Sequence, residues 1–203
     1  VFFRNQPLGC TATIIYQMYK ENKVDVTPEI AGLLCSAILS DTLVYRSPTC
    51  TETDKAAAEE LAAIAGIKTQ DYAMEMFAAG SDLSSKSPEE IFYQDFKKFV
   101  VGEQTFGVGQ ITAMTGRELT AIKEKLTPYM QKAMAAHEVS MLFFMLTDIL
   151  QASTELLYYG SGARELALEA FHLPKDTETI ILINTVSRKK QIIPAMMMAL
   201  QEE

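Results

Sequence analysis

The sequence predicts an α/β protein in two parts: a mostly helical first part, and a second part that mixes helices and strands. Apolar residues recur at helical spacing through much of residues 11–79, which is typical of amphipathic helices. Short apolar runs of strand length follow at 141–146 and 180–183. A small, polar segment at 80–88 separates the two regions and predicts a linker. Hydrophobic residues make up 48% of the 203, enough for a packed core.

Start and stop signals define the helices of the first part. Thr27-Pro28 combines an N-cap residue with proline at the first helical position. Thr51 opens an alanine-rich helix that Gly66 ends. We therefore expect a strand at the start of the chain and then four helices, at 11–22, from Thr27 onward, from Thr51 to Gly66, and at 71–79.

Asp41 is the most informative acid of this part. It follows, by one helical step, a stripe of apolar residues on the helix that starts at Thr27, so its side chain is expected to point inward. The stripe consists of Ile30, Leu33, Leu34, Ala37 and Ile38. The C-terminal end of a helix disfavours negative charge, so an inward carboxylate there needs Arg or Lys, several hydrogen bonds, or a metal cation. Exposure at a fraying helix end is the remaining alternative.

The second part alternates strands with helices. A pair of strands is expected around Gly102-Glu103, and a long amphipathic helix should begin at Gly116. The full series is a short helix at 88–95, strands at 98–101 and 105–111, a helix at 116–136, strands at 140–147 and 156–159, a helix at 163–171, a buried strand at 179–186 and a closing helix from Pro194.

Charge and composition exclude several classes of protein. The net charge is 18 − 26 = −8, which argues against general binding to nucleic acid or to an acidic membrane surface. No apolar run reaches the roughly 18–20 residues that a membrane helix needs. The three cysteines lack CxxC spacing and fit reduced, cytosolic thiols, and only two histidines are present. Because residues 1–6 include no initiator Met and start within a strand-like pattern, we expect the chain to be a fragment.

Two groups of cations could bind an anion. Arg188, Lys189 and Lys190 directly follow the apolar strand at 179–186, where a guanidinium fork and ammonium groups could hold a phosphate. A solvated, charged turn is the ordinary alternative. Lys97 and Lys98 form a second group between a helix and a strand, and paired surface lysines usually serve solubility alone.

These residues carry a resemblance to a known family. The segments PLGCTAT at 7–13, SAILSDTL at 36–43 and SPTCT at 47–51 resemble the family II, manganese-dependent inorganic pyrophosphatases of the DHH phosphoesterase superfamily. The closing VSRKKQIIP at 186–194 is similar to the C-terminal substrate-binding motif of that family. The match runs in order through nearly the whole chain.

The resemblance implies a role for four residues. Asp41 matches a metal ligand of the catalytic centre, Arg188 and Lys189 match residues that grip pyrophosphate, and Lys97 matches a further substrate-binding lysine. A pair of metal ions (Mn²⁺ or Co²⁺, with Mg²⁺ also used) would activate a water molecule that attacks one phosphorus. Residues 1–80 would then be the remainder of the DHH catalytic domain, and 81–203 the C-terminal substrate-binding domain.

The sequence also departs from the family pattern. The His-x-Asp-x-Asp motif, the middle metal-binding Asp and the Asp-His-His motif are missing, and one ligand cannot hold two metal ions. The resemblance therefore implies a cytoplasmic, homodimeric full-length enzyme, of which this chain alone is expected to be inactive. Some members of the family carry a regulatory CBS insert upstream of the region that this chain matches. A short-chain exopolyphosphatase of the same superfamily, or a non-catalytic anion-binding module, is the alternative.

Overall fold

A computed structural model describes residues 1, 3–80, 83, 86–114 and 116–202 of the chain. It separates into two compact units, Val1–Gly80 and Ser81–Glu203. Much of the polar segment predicted as a linker, namely Ser81, Asp82, Ser84 and Ser85, lies outside the described residues. None of the described helices is both long and apolar enough to cross a membrane.

The first unit consists of helices over its described residues. Thr27 caps the second helix, where its hydroxyl accepts a hydrogen bond from the N–H of Ile30. Thr51 caps the third through a reciprocal capping box with Asp54, and Gly66 ends that helix with a φ of 71°. These predicted signals are confirmed. The helices are α1 (Thr11–Glu21), α2 (Pro28–Asp41), α3 (Glu52–Ala65) and α4 (Thr69–Gly80).

Two expectations for this unit are wrong. Residues 1 and 3–10 form no strand, since every strand of the described chain belongs to the second unit and none is present here to pair with them. The buried face of α2, which packs on α3, is not the predicted stripe. Leu33 of that stripe is 67% exposed. The residues that α2 buries are Ala31, Cys35, Ile38 and Leu39.

The second unit is built on one mixed sheet, which confirms the α/β class. Its described strands lie in the order β1-β2-β3-β4-β5, with β2 and β3 parallel and the other neighbours antiparallel. The strands are β1 (Phe96–Val101), β2 (Gln104–Ala113), β3 (Met141–Asp148), β4 (Ser153–Tyr159) and β5 (Ile181–Ile183). The helices are α5 (Pro88–Phe92), α6 (Gly116–His137), α7 (Ala163–Ala170) and α8 (Ile193–Glu202).

The predicted pair of strands is a hairpin. β1 and β2 pair in antiparallel register around Gly102-Glu103, and Gly102 has a φ of 57°. A two-residue loop of this kind needs a backbone that glycine adopts readily. The long helix α6 then connects β2 to β3, as a parallel pair of strands requires. Strand β3 is buried along almost its whole length, from Met141 through Thr147.

The sheet buries a hydrophobic core on each face. Phe99 of β1 packs into the core shared with α7 and α8, whereas Phe96 packs into the core shared with α5 and α6. Since side chains alternate along a strand, Lys97 points to the same face as Phe99. Lys98 points to the other face, where its ammonium donates to the carbonyl of His137 at 3.0 Å.

The strand predicted at 179–186 is shorter and less buried than expected. β5 has three residues, of which Leu182 is buried while Ile181 and Ile183 are 54% and 67% exposed. The strand ends because Asn184 adopts a positive φ of 54°, which turns the backbone out of the ladder.

Candidate functional site

Arg188 is a buried cation at the sheet. It opens a π-helical turn, Arg188–Ile192, that leads into α8, and it is 8% exposed. Its Nη1 donates to the carbonyl of Asp95 at 2.6 Å and to that of Val108 at 3.2 Å. Its Nη2 donates to the carboxylate of Asp95 at 2.7 Å. Arg188 is therefore fixed against the start of β1 and the middle of β2, and is not part of a solvated turn.

The loop before Arg188 is fixed by a glutamine. The side-chain carbonyl of Gln191 accepts hydrogen bonds from the backbone N–H groups of Val186 and Ser187, each at 3.0 Å. Its amide donates to the carbonyl of Asn184 at 2.6 Å. These side-chain bonds satisfy backbone groups that have left the β5 ladder. π-Helical turns are rare and frequently occur at functional sites.

Lys97 lies close to the atoms that hold Arg188. In the register of the hairpin it is directly opposite Val108, whose carbonyl accepts from Arg188. Asp95 continues the ladder, because its carbonyl also accepts from the N–H of Gln110 at 3.1 Å. Lys97 faces the α8 side of the sheet, and Asp95, in the bend just before β1, turns its carboxylate to Arg188. The structure thus brings Lys97 and Arg188 to one place.

Lys189 is exposed and follows Arg188 in the π-helical turn. Across the described part of the chain, neither Lys189 nor Lys97 forms a side-chain hydrogen bond or an ion pair with another residue. Both ammonium groups are free to turn toward an anion. The four-carbon stem of lysine lets such a charge follow its ligand, in contrast to the fixed guanidinium.

Asp41 is exposed, so the expectation that its side chain points inward is wrong for this chain. α2 buries the side that carries Ala31, Cys35 and Leu39, whereas Asp41, in the last turn, lies on the side of the half-buried Leu34 and Ala37. The Asp41 carboxylate instead neighbours the thiol of Cys10, the N-cap of α1. Burial, followed by the hydrogen bond to Asp41, raises the pKa of this thiol to about 12.

The chain leaves Asp41 through a strained turn. Leu43, Val44 and Tyr45 have φ values of 49°, 51° and 67°, three consecutive left-handed residues without a glycine. Such a conformation costs roughly 1–2 kcal/mol per residue. Thr42 holds the turn in place: its hydroxyl donates to the carbonyl of Ile38 at 2.6 Å and accepts from the N–H of Tyr45 at 3.2 Å. The end of α2, and with it Asp41, has a defined position.

Asp54 is a buried acid of the first unit that the sequence reasoning missed. Its carboxylate accepts from the N–H of Gly9 at 2.8 Å, from the hydroxyl of Thr13 at 2.6 Å, and from both the N–H and the hydroxyl of Thr51. Burial alone would raise its pKa, but these hydrogen bonds outweigh burial and hold the pKa below its usual value. The capping-box spacing from Thr51 to Asp54 was the available signal. Its satisfied hydrogen bonds make it structural.

A manganese centre does not fit the described residues by themselves. Within the ranges that the structure covers, no three or more His, Cys, Asp or Glu side chains come together in a group that could hold a metal ion. Asp41 offers a single carboxylate. A metal bound there would need its other ligands from outside the described residues, so its role as a ligand stays a prediction.

Comparison with known proteins identifies the family. Residues 74–199, more than half of the chain, match the family model of the DHHA2 domain. The manganese-dependent inorganic pyrophosphatase of Bacillus subtilis (strain 168) is 39% identical over 202 residues, which are 100% of this chain and 65% of that protein. That of Methanothrix thermoacetophila is 42% identical over 195 residues, 96% of this chain and 63% of that protein.

A solved structure agrees with these relatives. The crystal structure of a Methanococcus jannaschii protein assigned to the family II inorganic pyrophosphatases superimposes with a TM-score of 0.81 at 32% sequence identity. The match covers 99% of this chain and 68% of that one. The chain thus spans 63% to 65% of the length of the two curated relatives. It belongs to the family II inorganic pyrophosphatases, with a DHHA2 domain over residues 74–199.

Proposed function

We propose that this chain takes part in the hydrolysis of inorganic pyrophosphate to two phosphates. The proposal rests on the position of Lys97 close to Arg188 on the sheet, with Lys189 next to Arg188 in sequence. The chain as a whole has a net charge of −8. An acidic protein repels a polyanion over most of its surface, so it needs a local cationic site to bind one. Both curated relatives described above are named for this activity.

The three cations would contribute to pyrophosphate hydrolysis in different ways. Arg188 is held by three hydrogen bonds to protein acceptors, so its guanidinium is in position before a ligand arrives. Preorganised donors of this kind stabilise charge that develops on the phosphate in the transition state. Lys97 and Lys189 can move with the phosphate groups as the bond between them breaks.

For Asp41 we propose the role of a metal ligand in the catalytic centre, with Mn²⁺ as the main ion and Co²⁺ or Mg²⁺ as further ones. Residues 1–80 would act as the remainder of the DHH catalytic domain and 81–203 as the substrate-binding domain. Because the described residues supply one carboxylate toward such a centre, we expect a polypeptide of residues 1–203 alone to lack activity.

We also propose that the full-length protein is a cytoplasmic homodimer. The three cysteines are all free thiols, as is usual in a reducing compartment. Light scattering on the full-length protein measures the assembly: a mass of two chains supports the dimer, and a monomer contradicts it.

The test is an assay of phosphate release from pyrophosphate, with Mn²⁺, on the full-length protein including any residues that precede Val1. Arg188→Ala is expected to lower kcat/KM by about 10²- to 10³-fold, the usual effect of removing one preorganised donor. Asp41→Asn is expected to abolish most turnover and to weaken Mn²⁺ binding. Lys97→Ala should also lower kcat/KM. Lys98→Ala is its matched control and should leave kcat/KM unchanged, since Lys98 points to the opposite face of the sheet.

Each other outcome points to a specific alternative. Faster hydrolysis of tri- or tetraphosphate than of pyrophosphate would indicate a short-chain exopolyphosphatase. Binding of pyrophosphate without Mn²⁺ and without turnover, measured by calorimetry, would indicate a non-catalytic anion-binding module. Wild-type rates in Arg188→Ala and Asp41→Asn together would reject the proposed site.

A further inference from the structure

Arg188 uses only part of its hydrogen-bonding capacity on the protein. A guanidinium has five N–H donors: two on Nη1, two on Nη2 and one on Nε. Both Nη1 donors go to backbone carbonyls, and one Nη2 donor goes to the carboxylate of Asp95. Among the described residues no acceptor is recorded for Nε or for the second Nη2 donor. Two adjacent donors therefore remain, which is the number that a bidentate contact with a phosphate requires.

Asp95 provides two of the three acceptors. Its carbonyl and its carboxylate both accept from the guanidinium, so a single residue fixes the plane of that group as well as its position. The carbonyl of Val108 is the only other acceptor recorded in the described chain. With the Asp95 carboxylate removed, two backbone carbonyls on Nη1 would remain, and the guanidinium could rotate about that nitrogen.

The burial of the two partners is unequal. The Arg188 side chain is 9% exposed, whereas that of Asp95 is 49% exposed. A carboxylate that is half in water is partly screened, so it cancels the charge of Arg188 incompletely. Asp95 can thus hold the guanidinium in place without preventing an anion from approaching the free edge. A fully buried partner would compete with that anion more strongly.

We infer that Asp95 is a positioning residue: it holds one edge of the Arg188 guanidinium so that the Nε and Nη2 donors on the other edge bind a phosphate oxygen pair. This inference rests on the proposed function, since the ligand it invokes is a phosphate of pyrophosphate. Asp95 touches neither substrate nor metal in this role. Its effect on the ligand passes through Arg188.

The test measures the affinity of the full-length protein for imidodiphosphate, a pyrophosphate analogue with a stable bridge, by calorimetry. Asp95→Ala is expected to weaken binding by about tenfold, the effect of losing one charge-assisted hydrogen bond. Asp95→Asn keeps the shape and one acceptor oxygen, so its loss should be smaller, about threefold. Asp176→Asn, an exposed carboxylate in the same unit, makes the same change of charge and should bind as the unmodified protein does.

A double-mutant cycle distinguishes a positioning role of Asp95 from a role in stability alone. In an Arg188→Ala background, Asp95→Ala should weaken binding no further, because Asp95 acts only through Arg188. Three results would overturn the inference: unchanged affinity in Asp95→Ala with a lowered Tm, tighter binding in Asp95→Asn, or an undiminished effect of Asp95→Ala without Arg188. Asp95→Asn serves as the folded variant if Asp95→Ala fails to fold.

The experiments distinguish a failure of the proposed function from a failure of the inference about Asp95. Turnover of pyrophosphate by the unmodified protein tests that function, whereas the differences in analogue affinity test Asp95. A protein that binds imidodiphosphate through Arg188 and Asp95 but does not hydrolyse pyrophosphate would reject the function and keep the positioning role. A protein that binds no imidodiphosphate at all would reject both.

Discussion

The ring of Phe96 occupies the space that a side chain on Gly107 would fill. A Cβ atom built on Gly107 would lie 2.5 Å from the Cζ atom of that ring, and the methyl carbon of Leu142 would be 3.0 Å away on another side. Phe96 is part of the core under α5 and α6, and it separates Asp95 from Lys97 in sequence. The absence of a side chain at Gly107 thus leaves room for the Phe96 ring on the α5 and α6 face of the sheet.

Gly107→Ala is expected to destabilise the protein by about 1–3 kcal/mol, the usual effect of overpacking a core. The free energy of unfolding in urea measures this. Gly80→Ala is the matched control, because a Cβ atom there meets nothing within 4 Å and should change the stability little. An equally stable Gly107→Ala would show that Phe96 can move away at low cost.

Asp54 makes the first unit sensitive to acid. Because its pKa is lower in the folded state than in the unfolded state, its stabilisation is complete above the unfolded pKa and is lost as the pH falls through the folded one. Asp54→Asn should therefore cost about 1–3 kcal/mol at neutral pH. Below about pH 4 the difference from the unmodified protein should shrink.

Urea unfolding at a series of pH values measures this dependence, and Asp25→Asn, an exposed acid, is the control. A gap between Asp54→Asn and the unmodified protein that stays constant down to pH 2 would contradict the assignment.

Gln191→Ala should loosen the loop that precedes Arg188. The N–H groups of Val186 and Ser187 lose their shared acceptor, so their amide hydrogens should exchange with solvent faster. Affinity for imidodiphosphate should fall as the loop loses its fixed conformation. Hydrogen exchange followed by mass spectrometry resolves the loop, and Gln151→Ala, an exposed glutamine, is the control. Unchanged exchange at residues 184–187 would contradict the role given to Gln191.

Cys35 is expected to resist alkylation in the folded protein. The residue is fully buried, and burial, followed by the charge of Glu59, raises the pKa of its thiol to about 11. At pH 8 the reactive thiolate is therefore scarce, and iodoacetamide should modify Cys35 only at the rate of unfolding. Mass spectrometry of peptides after timed alkylation measures this. Modification of Cys35 within minutes in native buffer would show that the α2–α3 contact opens readily.

Local chemistry made much of the fold predictable. Thr27-Pro28 and Thr51 mark helix starts because a hydroxyl caps free N–H groups, and Gly102 marks the hairpin because it accepts a positive φ. The buried face of α2 was not predictable from spacing, since apolar residues lie on nearly every side of that helix and the partner helix decides which side is covered. The length of β5 depends on Asn184 and Gln191, which act together across a turn.

The sequence indicated which cations belong to the candidate site, but it did not indicate how they are arranged in space. Arg188 and Lys97 stand out as charges beside apolar strands, and the family resemblance names them. The partner of Arg188 could not be found in this way, because Asp95 is 93 residues away and comes near only when β2 pairs with β3 and joins the two halves of the sheet. For Asp41 the helical period suggested burial, but the neighbouring packing places it at the surface.

The link between Arg188 and Asp95 joins the residue before the first strand of the second unit to the π-helical turn that precedes its last helix. The two hairpins, β1–β2 and β3–β4, can close early and locally, but this link cannot form until the long connection through α6 has brought them side by side. The proposed phosphate site at Arg188 thus depends on the assembled sheet. A polyphosphate that binds it would select the fully assembled sheet and, by mass action, protect the whole unit from unfolding.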